Sequence, residues 1–218
     1  MQRGKKNTQR HQKRTAAFSR YIIGIDEAGR GPLVGPVVVA GICVKSSGVG
    51  LAQNADCSRI DFGSFFKNIR DSKKTSEKKR EEWYQKITKN RSLRWAVAVI
   101  GHDVIDTMNI LKATHRGAYD VYKKLAGNTH IPALLDGGLF LPKPIPYQAI
   151  IKGDEKISII SAASIIAKVT RDRIMLKLHK KYPQYRFDLH KGYSTKLHRA
   201  LIKKFGRSKI HRKSFRVD

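Results

Sequence analysis

Residues 21–44, YIIGIDEAGRGPLVGPVVVAGICV, constrain the fold more than any other stretch of the chain. YIIGIDEAG is a β-branched run that ends in an acid pair and a glycine turn. GPVVVAGICV is a second strand of the same character. More strand-like runs follow: SLRWAVAVIG, then IPALLDG and PYQAIIKGD. SEKKREEWYQKITK reads as a polar, solvent-facing helix. Between Leu111 and Leu125, apolar or small residues fall at 111, 114, 118, 121, 122 and 125, which is helical spacing, with Gly127 as a stop. ISIISAASIIAKVTRDRIMLKLHKKY is a long helix, small and apolar early and basic late, and a shorter basic helix runs from about Ser194 to Lys204. The order predicts an α/β protein whose helices pack on the faces of one sheet. No repeat and no linker divides the chain, so residues 20–218 are expected to form one domain.

The charge narrows the choice of partner. The chain has 218 residues and a net charge of +28, from 45 basic and 17 acidic residues. Such a chain repels itself unless a polyanion neutralises it, so nucleic acid is the leading partner class and an anionic membrane surface the second. An ordinary enzyme with a basic tail is the plainer alternative. No apolar run approaches the ~20 residues that span a bilayer. Residues 1–19 are polar, basic and aperiodic, and are expected to be a disordered tail. They lack the apolar stretch of a secretory signal, while an Arg-rich organellar transit peptide is a minor alternative. Cys43 and Cys57 show neither metal spacing nor a disulfide framework, which suits a reducing compartment and a cytoplasmic protein.

The acids are few and oddly placed. Asp26 and Glu27 stand at the end of the first strand, before Gly29-Arg30-Gly31. Asp136 ends IPALLDG and Asp154 ends QAIIKGD, each beside a glycine. Neighbouring side chains of a strand point to opposite faces, so Asp26 and Glu27 can share a site only if the chain turns there or one offers its carbonyl. A solvated acid pair at a strand end is the plainer reading. In open α/β sheets, functional groups gather at the carboxyl ends of strands, where acids from three strands can converge. Four carboxylates around one point repel unless a cation compensates them, and an all-oxygen site suits magnesium or manganese. An acidic metal pocket in a basic protein suggests phosphodiester chemistry, in which two ions ~3.5–4 Å apart activate water and stabilise the leaving oxygen.

On these residues the chain resembles the ribonuclease HII family. GIDEAGRGPLVGPVVVAG matches the family signature, as do Asp71-Ser72-Lys73-Lys74, Leu135-Asp136-Gly137, KGDEKISIISAASIIAKVTRDR, HKGYSTKLHRALIKKFG and IHRKSF, in the family's order from about Tyr21 to Phe215. The resemblance implies a ribonuclease H-like fold: a five-stranded mixed sheet flanked by helices, with extra C-terminal helices. It implies that Asp26, Glu27, Asp136 and Asp154 are the catalytic, metal-binding carboxylates, with Mg2+ or Mn2+ as cofactor. Gly29, Arg30 and Gly31 would touch the backbone and 2′-OH at the scissile site, and Tyr193 would pack on the sugar beside the cut. The substrates implied are RNA–DNA hybrids and duplex DNA carrying single ribonucleotides, cut to leave a 3′-hydroxyl and a 5′-phosphate by a monomeric, cytoplasmic enzyme. Gly138 departs from the polar residue usual in the family after Asp136-Gly137. The type III relatives differ in their glycine loop and carry an extra N-terminal domain.

Other residues admit two readings. Asp71-Ser72-Lys73 either caps the polar helix or holds a substrate phosphate with Ser72 and Lys73. His190 and His211 either touch phosphate or are structural. Asp172, four residues after Lys168, is expected to be its ion-pair partner. Trp83, Tyr84 and Trp95 are expected to pack, and Ala162-Ala163-Ser164 to allow close helix–sheet contact. The rival functions are a non-catalytic nucleic-acid binder, which would not cleave a hybrid with magnesium, and a DNA nuclease such as a junction resolvase, which would cut all-DNA substrates.

Overall fold

The computed structural model describes residues 19–45, 62–69 and 76–217. The first strand, β1, is Tyr21–Ala28, and β2 is Val37–Lys45. They pair antiparallel, with Asp26 opposite Ala40. β3, Arg94–Ile100, pairs antiparallel with β2. β4, Ala133–Asp136, lies parallel to β1 on its other side, and β5, Tyr147–Ile150, parallel to β4. The order β3-β2-β1-β4-β5 makes a five-stranded mixed sheet with β1 at its centre, as the resemblance implied.

The helices cover both faces. α1 is Glu77–Lys89, α2 His102–Met108, α3 Ile110–Ala126 and α4 the single turn Gly153–Lys156. α5 is Ser158–Lys181, α6 the short Phe187–His190 and α7 Lys196–Phe205. Strand alternation divides the core. Ile23, Ile25, Val37 and Val39 pack with Val121 and Leu125 of α3, whereas Ile22, Val38, Ala40 and Ile42 pack with Ile159, Ala162 and Ile166 of α5. Both halves are sealed, which explains why the strand runs read as continuously apolar.

The contact of α5 with β1 is backbone to backbone. A Cβ on Gly24 would stand 2.8 Å from the carbonyl carbon and oxygen of Ile159. Ala162 and Ala163 are fully buried and Ser164 nearly so, in line with the close packing expected of that run. A third, smaller cluster joins Leu33 and Val34 to Met175, Tyr185, Phe187 and Ile202. It fastens the C-terminal helices to the loop that follows β1.

Sequence and structure differ locally. α2 follows β3 directly and was not expected. Trp83 and Tyr84 lie against the core, but Trp95 is 38% exposed. The cap of α1 is Ser76, whose hydroxyl accepts the Lys79 amide. Asp71, Ser72 and Lys73, the tail up to residue 18, and the expected loop at 46–56 lie outside the described residues.

Candidate active site

Parallel pairing sets the positions of the acids. Ile25 of β1 is in register with Leu135 of β4, and Asp136 with Ile150 of β5. Asp26, Glu27 and Asp136 therefore stand at the carboxyl ends of adjacent parallel strands. One oxygen from each lies within 4.8 Å of the others. The expected turn between Asp26 and Glu27 is absent, since β1 runs on to Ala28. Instead, Asp26 Oδ1 folds back to accept the Glu27 amide at 2.7 Å, bringing two neighbouring side chains to one end of the strand.

Asp154 stands at the edge of this cluster, and its carboxylate is not among the three grouped oxygens. Its amide is 3.3 Å from Asp136 Oδ1. Left-handed Lys152 turns the chain after β5, and Gly153 lets α4 pass close to Asp136. The buried Ser161 hydroxyl of α5 donates to the Asp154 carbonyl and pins that turn.

The electrostatics of the cluster call for a cation. Charged carboxylate oxygens within 4.8 Å of one another repel by at least about 3–4 kcal/mol per pair at an effective dielectric of about 20. Three such pairs approach the whole stability of a domain, about 5–15 kcal/mol. Burial pushes the Glu27 carboxyl up from its ordinary value; Arg30 opposes this and Asp136 adds to it. Arg30 Nη1 reaches Glu27 Oε1 at 3.3 Å, yet Glu27 Oε2 is buried with no hydrogen-bond partner among the described residues. A buried carboxylate oxygen without a donor, facing other carboxylates, fits a hard divalent ion. Asp26, Glu27 and Asp136 therefore suit magnesium or manganese, and the Asp154 backbone borders them through its amide on Asp136.

The residues that the family resemblance assigned to the substrate lie beside the acids. Gly29 has φ +99°, and the backbone of 29–31 leaves the strand there. A Cβ on Gly31 would meet only the Tyr193 ring, at 3.9 Å. Tyr193 is 41% exposed, and the Lys168 and Arg171 cations lie 5.9 and 5.6 Å from its ring centre. A cleft of about 260 Å³ runs between Glu27, Gly29, Arg80, Lys168 and Tyr193. Gly138, the departure from the family pattern, is held by His115 Nε2 on its carbonyl at 3.0 Å, and a Cβ there would reach Arg30. Lys168 pairs with Asp172 at 2.9 Å, as their spacing suggested.

His190 and His211 are buried, so their rings are not exposed to meet a phosphate directly. Three further residues escaped the sequence reading. Arg171 and Arg212 are almost fully buried beneath the loop that follows β1, and His198 is fully buried beneath Tyr193. Arg171 lies midway between Ala167 and Met175, both fully buried, at helical spacing. That stripe was the one available signal.

Comparison with known proteins agrees with this arrangement. Residues 23–217 match the model of the family described as ribonuclease HII. A ribonuclease HII of Chlamydia muridarum (strain MoPn / Nigg) is 44% identical over 198 residues, covering 91% of this chain and 82% of the relative. A ribonuclease HII of Bacillus cereus (strain Q1) is 45% identical over 195 residues, covering 89% and 68%. Among solved structures, the RNase HII of Archaeoglobus fulgidus, determined in a complex with PCNA, superposes with a TM-score of 0.68 at 26% identity, covering 90% of this chain and 96% of that one. With its five-stranded mixed sheet and its carboxylate cluster, the chain belongs to the ribonuclease HII family and is a metal-dependent ribonuclease.

Proposed function

We propose that this protein is an endonuclease that cuts the RNA strand of RNA–DNA hybrids and also cuts at single ribonucleotides embedded in duplex DNA. Asp26, Glu27, Asp136 and Asp154 would hold two divalent ions, Mg2+ or Mn2+. The observation that carries this reading is the buried, donor-free Glu27 Oε2 among carboxylates at the ends of β1 and β4, a step from the glycine loop and Tyr193. When bound, such ions supply positive charge: they polarise a phosphoryl oxygen, favour the hydroxide form of attacking water and stabilise the leaving oxygen.

The chain's own residues do the rest. The Glu27 amide orients Asp26, and the Asp154 amide orients Asp136. Arg30, paired with Glu27, can turn its exposed guanidinium to a phosphate. The Gly29–Gly31 backbone, with no side chain at Gly29 or Gly31 to block approach, would meet the 2′-OH that separates RNA from DNA. The Tyr193 ring, beside Gly31, would pack flat on the next sugar, fitting deoxyribose and crowding ribose. Ser72 and Lys73 would hold a phosphate on the strength of sequence alone. The products would be a 3′-hydroxyl and a 5′-phosphate. Residues 20–218 would act as one catalytic unit, as a monomer in the cytoplasm. No helix among the described residues is long and apolar enough to cross a membrane.

The test is cleavage of end-labelled duplexes with each ion: all-DNA, continuous hybrid, and DNA with one ribonucleotide. The proposal expects cleavage of the last two only, with 3′-hydroxyl ends. Cutting of all-DNA duplex, or no metal-dependent cutting of either ribonucleotide substrate, would sink it. Tyr193→Ala is expected to lower kcat/KM for the single-ribonucleotide duplex far more than for the hybrid, and Tyr193→Phe to lower it less.

A further inference from the structure

The glycine loop is held from behind by one side chain. Arg212 is 1% exposed, and its guanidinium hydrogen bonds all go to carbonyls. Nη2 donates to Gly29 O at 2.7 Å, Nη1 to Arg30 O at 2.9 Å and Nε to Gly35 O at 2.9 Å. The Arg212 amide donates to Leu33 O at 2.8 Å. A trans peptide places its C=O and N–H on opposite sides. With the carbonyls of Gly29 and Arg30 drawn inward, the amides of Arg30 and Gly31 are aimed outward, towards any bound sugar or phosphate.

The preceding residue reaches the other recognition element. His211 Nδ1 accepts the Ser208 amide at 2.8 Å, so its proton sits on Nε2. That Nε2–H faces His198 Nε2 at 3.3 Å, which must then accept. The His198 proton is thereby fixed on Nδ1, where it donates to Tyr193 O at 2.9 Å. Each ring thus sets the tautomer of the next, and the relay ends on the Tyr193 backbone. The two elements also touch directly, since the Leu33 amide donates to Gly192 O at 2.9 Å.

We propose that His211 and Arg212 are positioning residues for substrate recognition: Arg212 sets the Gly29–Gly31 backbone, and His211, through His198, sets that of Tyr193. Adjacent residues on one segment therefore fix the distance between the groups that read neighbouring sugars. The inference rests on the roles proposed above for the glycine loop and Tyr193.

Binding without metal and cleavage with metal test it together. In EDTA, the wild-type protein should bind a duplex with one ribonucleotide more tightly than the all-DNA duplex. Arg212→Lys, which has no three-pronged fork, should bring that ratio towards one while leaving all-DNA binding in place. Equal weakening of both duplexes would mean a general structural role and overturn the Arg212 assignment. For the relay, His198→Leu should lower single-ribonucleotide cleavage relative to hybrid cleavage by about tenfold, the size of one lost hydrogen bond. His198→Asn, whose amide nitrogen replaces Nδ1, should restore most of it. In a Tyr193→Ala background, His198→Leu should cause no further change in the ratio. If Tyr193→Ala itself leaves the ratio unchanged, the proposed role of Tyr193 is wrong. If Tyr193→Ala changes it and His198→Leu does not, the relay is refuted while that role stands. Thermal melts check each variant, and should Arg212→Lys fail to fold, Arg212→Gln, which keeps one amide donor for the loop carbonyls, is put through the same two-duplex comparison with the same outcomes.

Discussion

Replacing Gly29 with alanine tests how rigidly the recognition loop is seated. The residue has φ +99°, where a side chain is strained, at a cost of about 1–3 kcal/mol. The new Cβ would stand 2.1 Å from Arg171 Nε and 2.4 Å from its Cδ. Arg171 is fully buried, so it cannot swing into solvent to make room. Its displacement breaks the bonds from Nε to Pro36 O at 3.2 Å and from Nη2 to Val34 O at 3.3 Å. Hydrogen bonds from a charged group contribute about 1.5–3 kcal/mol each. Even with relaxation, the total loss should reach about 4 kcal/mol, most of the stability of a marginal domain. At a urea slope of about 2 kcal/mol per molar, the unfolding midpoint should fall by about 2 M. Gly31→Ala is the control. Its φ is not positive and its Cβ meets only Tyr193 at 3.9 Å, so the midpoint should hold while ribonucleotide cleavage drops. A Gly29→Ala midpoint within half a molar of wild type would show that Arg171 yields easily, and the idea of a rigid seat would fail.

Other outcomes follow from the same geometry. Asp26→Asn and Asp136→Asn should each abolish most cleavage with the fold intact, because charge is lost but volume kept; near-normal turnover at saturating magnesium would refute the carboxylate model. His198 and His211 are buried and pushed down to about 4. Between pH 6.5 and 4 the unfolded chain takes up protons that the folded chain does not, so stability falls with pH across that window and is flat above it. The drop from pH 6.5 to 5 should be roughly 1.5 kcal/mol for each ring; a urea midpoint unchanged over that interval would contradict it. Residues 1–20 carry seven Lys or Arg and no acid. Removing residues 2–18 should flatten the log–log salt dependence of duplex binding by about 0.9 for each phosphate that the segment neutralises, and an unaltered slope would mean that the segment does not touch the duplex.

The sheet was legible in the sequence because its central strands β1, β2 and β4 are buried on both faces and its runs are bounded by glycines. Each expected strand is present, and the acids stand at strand ends because the β-branched runs stop there. α2 was missed because seven residues with three apolar positions give no clear period. The rule that neighbouring strand side chains diverge argued for a turn after Asp26. The structure solves the problem with a bond from Asp26 to the next amide, which a spacing rule does not anticipate. Arg171, Arg212 and His198 were hidden for a different reason. They sit in basic stretches that read as solvated, and their partners are backbone carbonyls, of the loop after β1 for the two arginines and of Tyr193 for His198. Those carbonyls converge only after the chain has closed, and a carbonyl has no sequence signature.

Arg212 bonds a carbonyl 183 residues before it. A chain made from its N-terminus exposes the Gly29–Gly31 loop first and the side chain that seats it far later. The central strands can pair while the loop still lacks its support, and closing so long a separation carries an entropy cost that only packing already in place can meet. On the role proposed for Arg212, a growing chain should lack full activity until residue 212 has been made and docked. A ribosome-bound chain stalled before residue 207 should show the sheet by hydrogen exchange yet bind ribonucleotide and all-DNA duplexes alike; a preference already present in that chain would show that the loop is ordered without its strap.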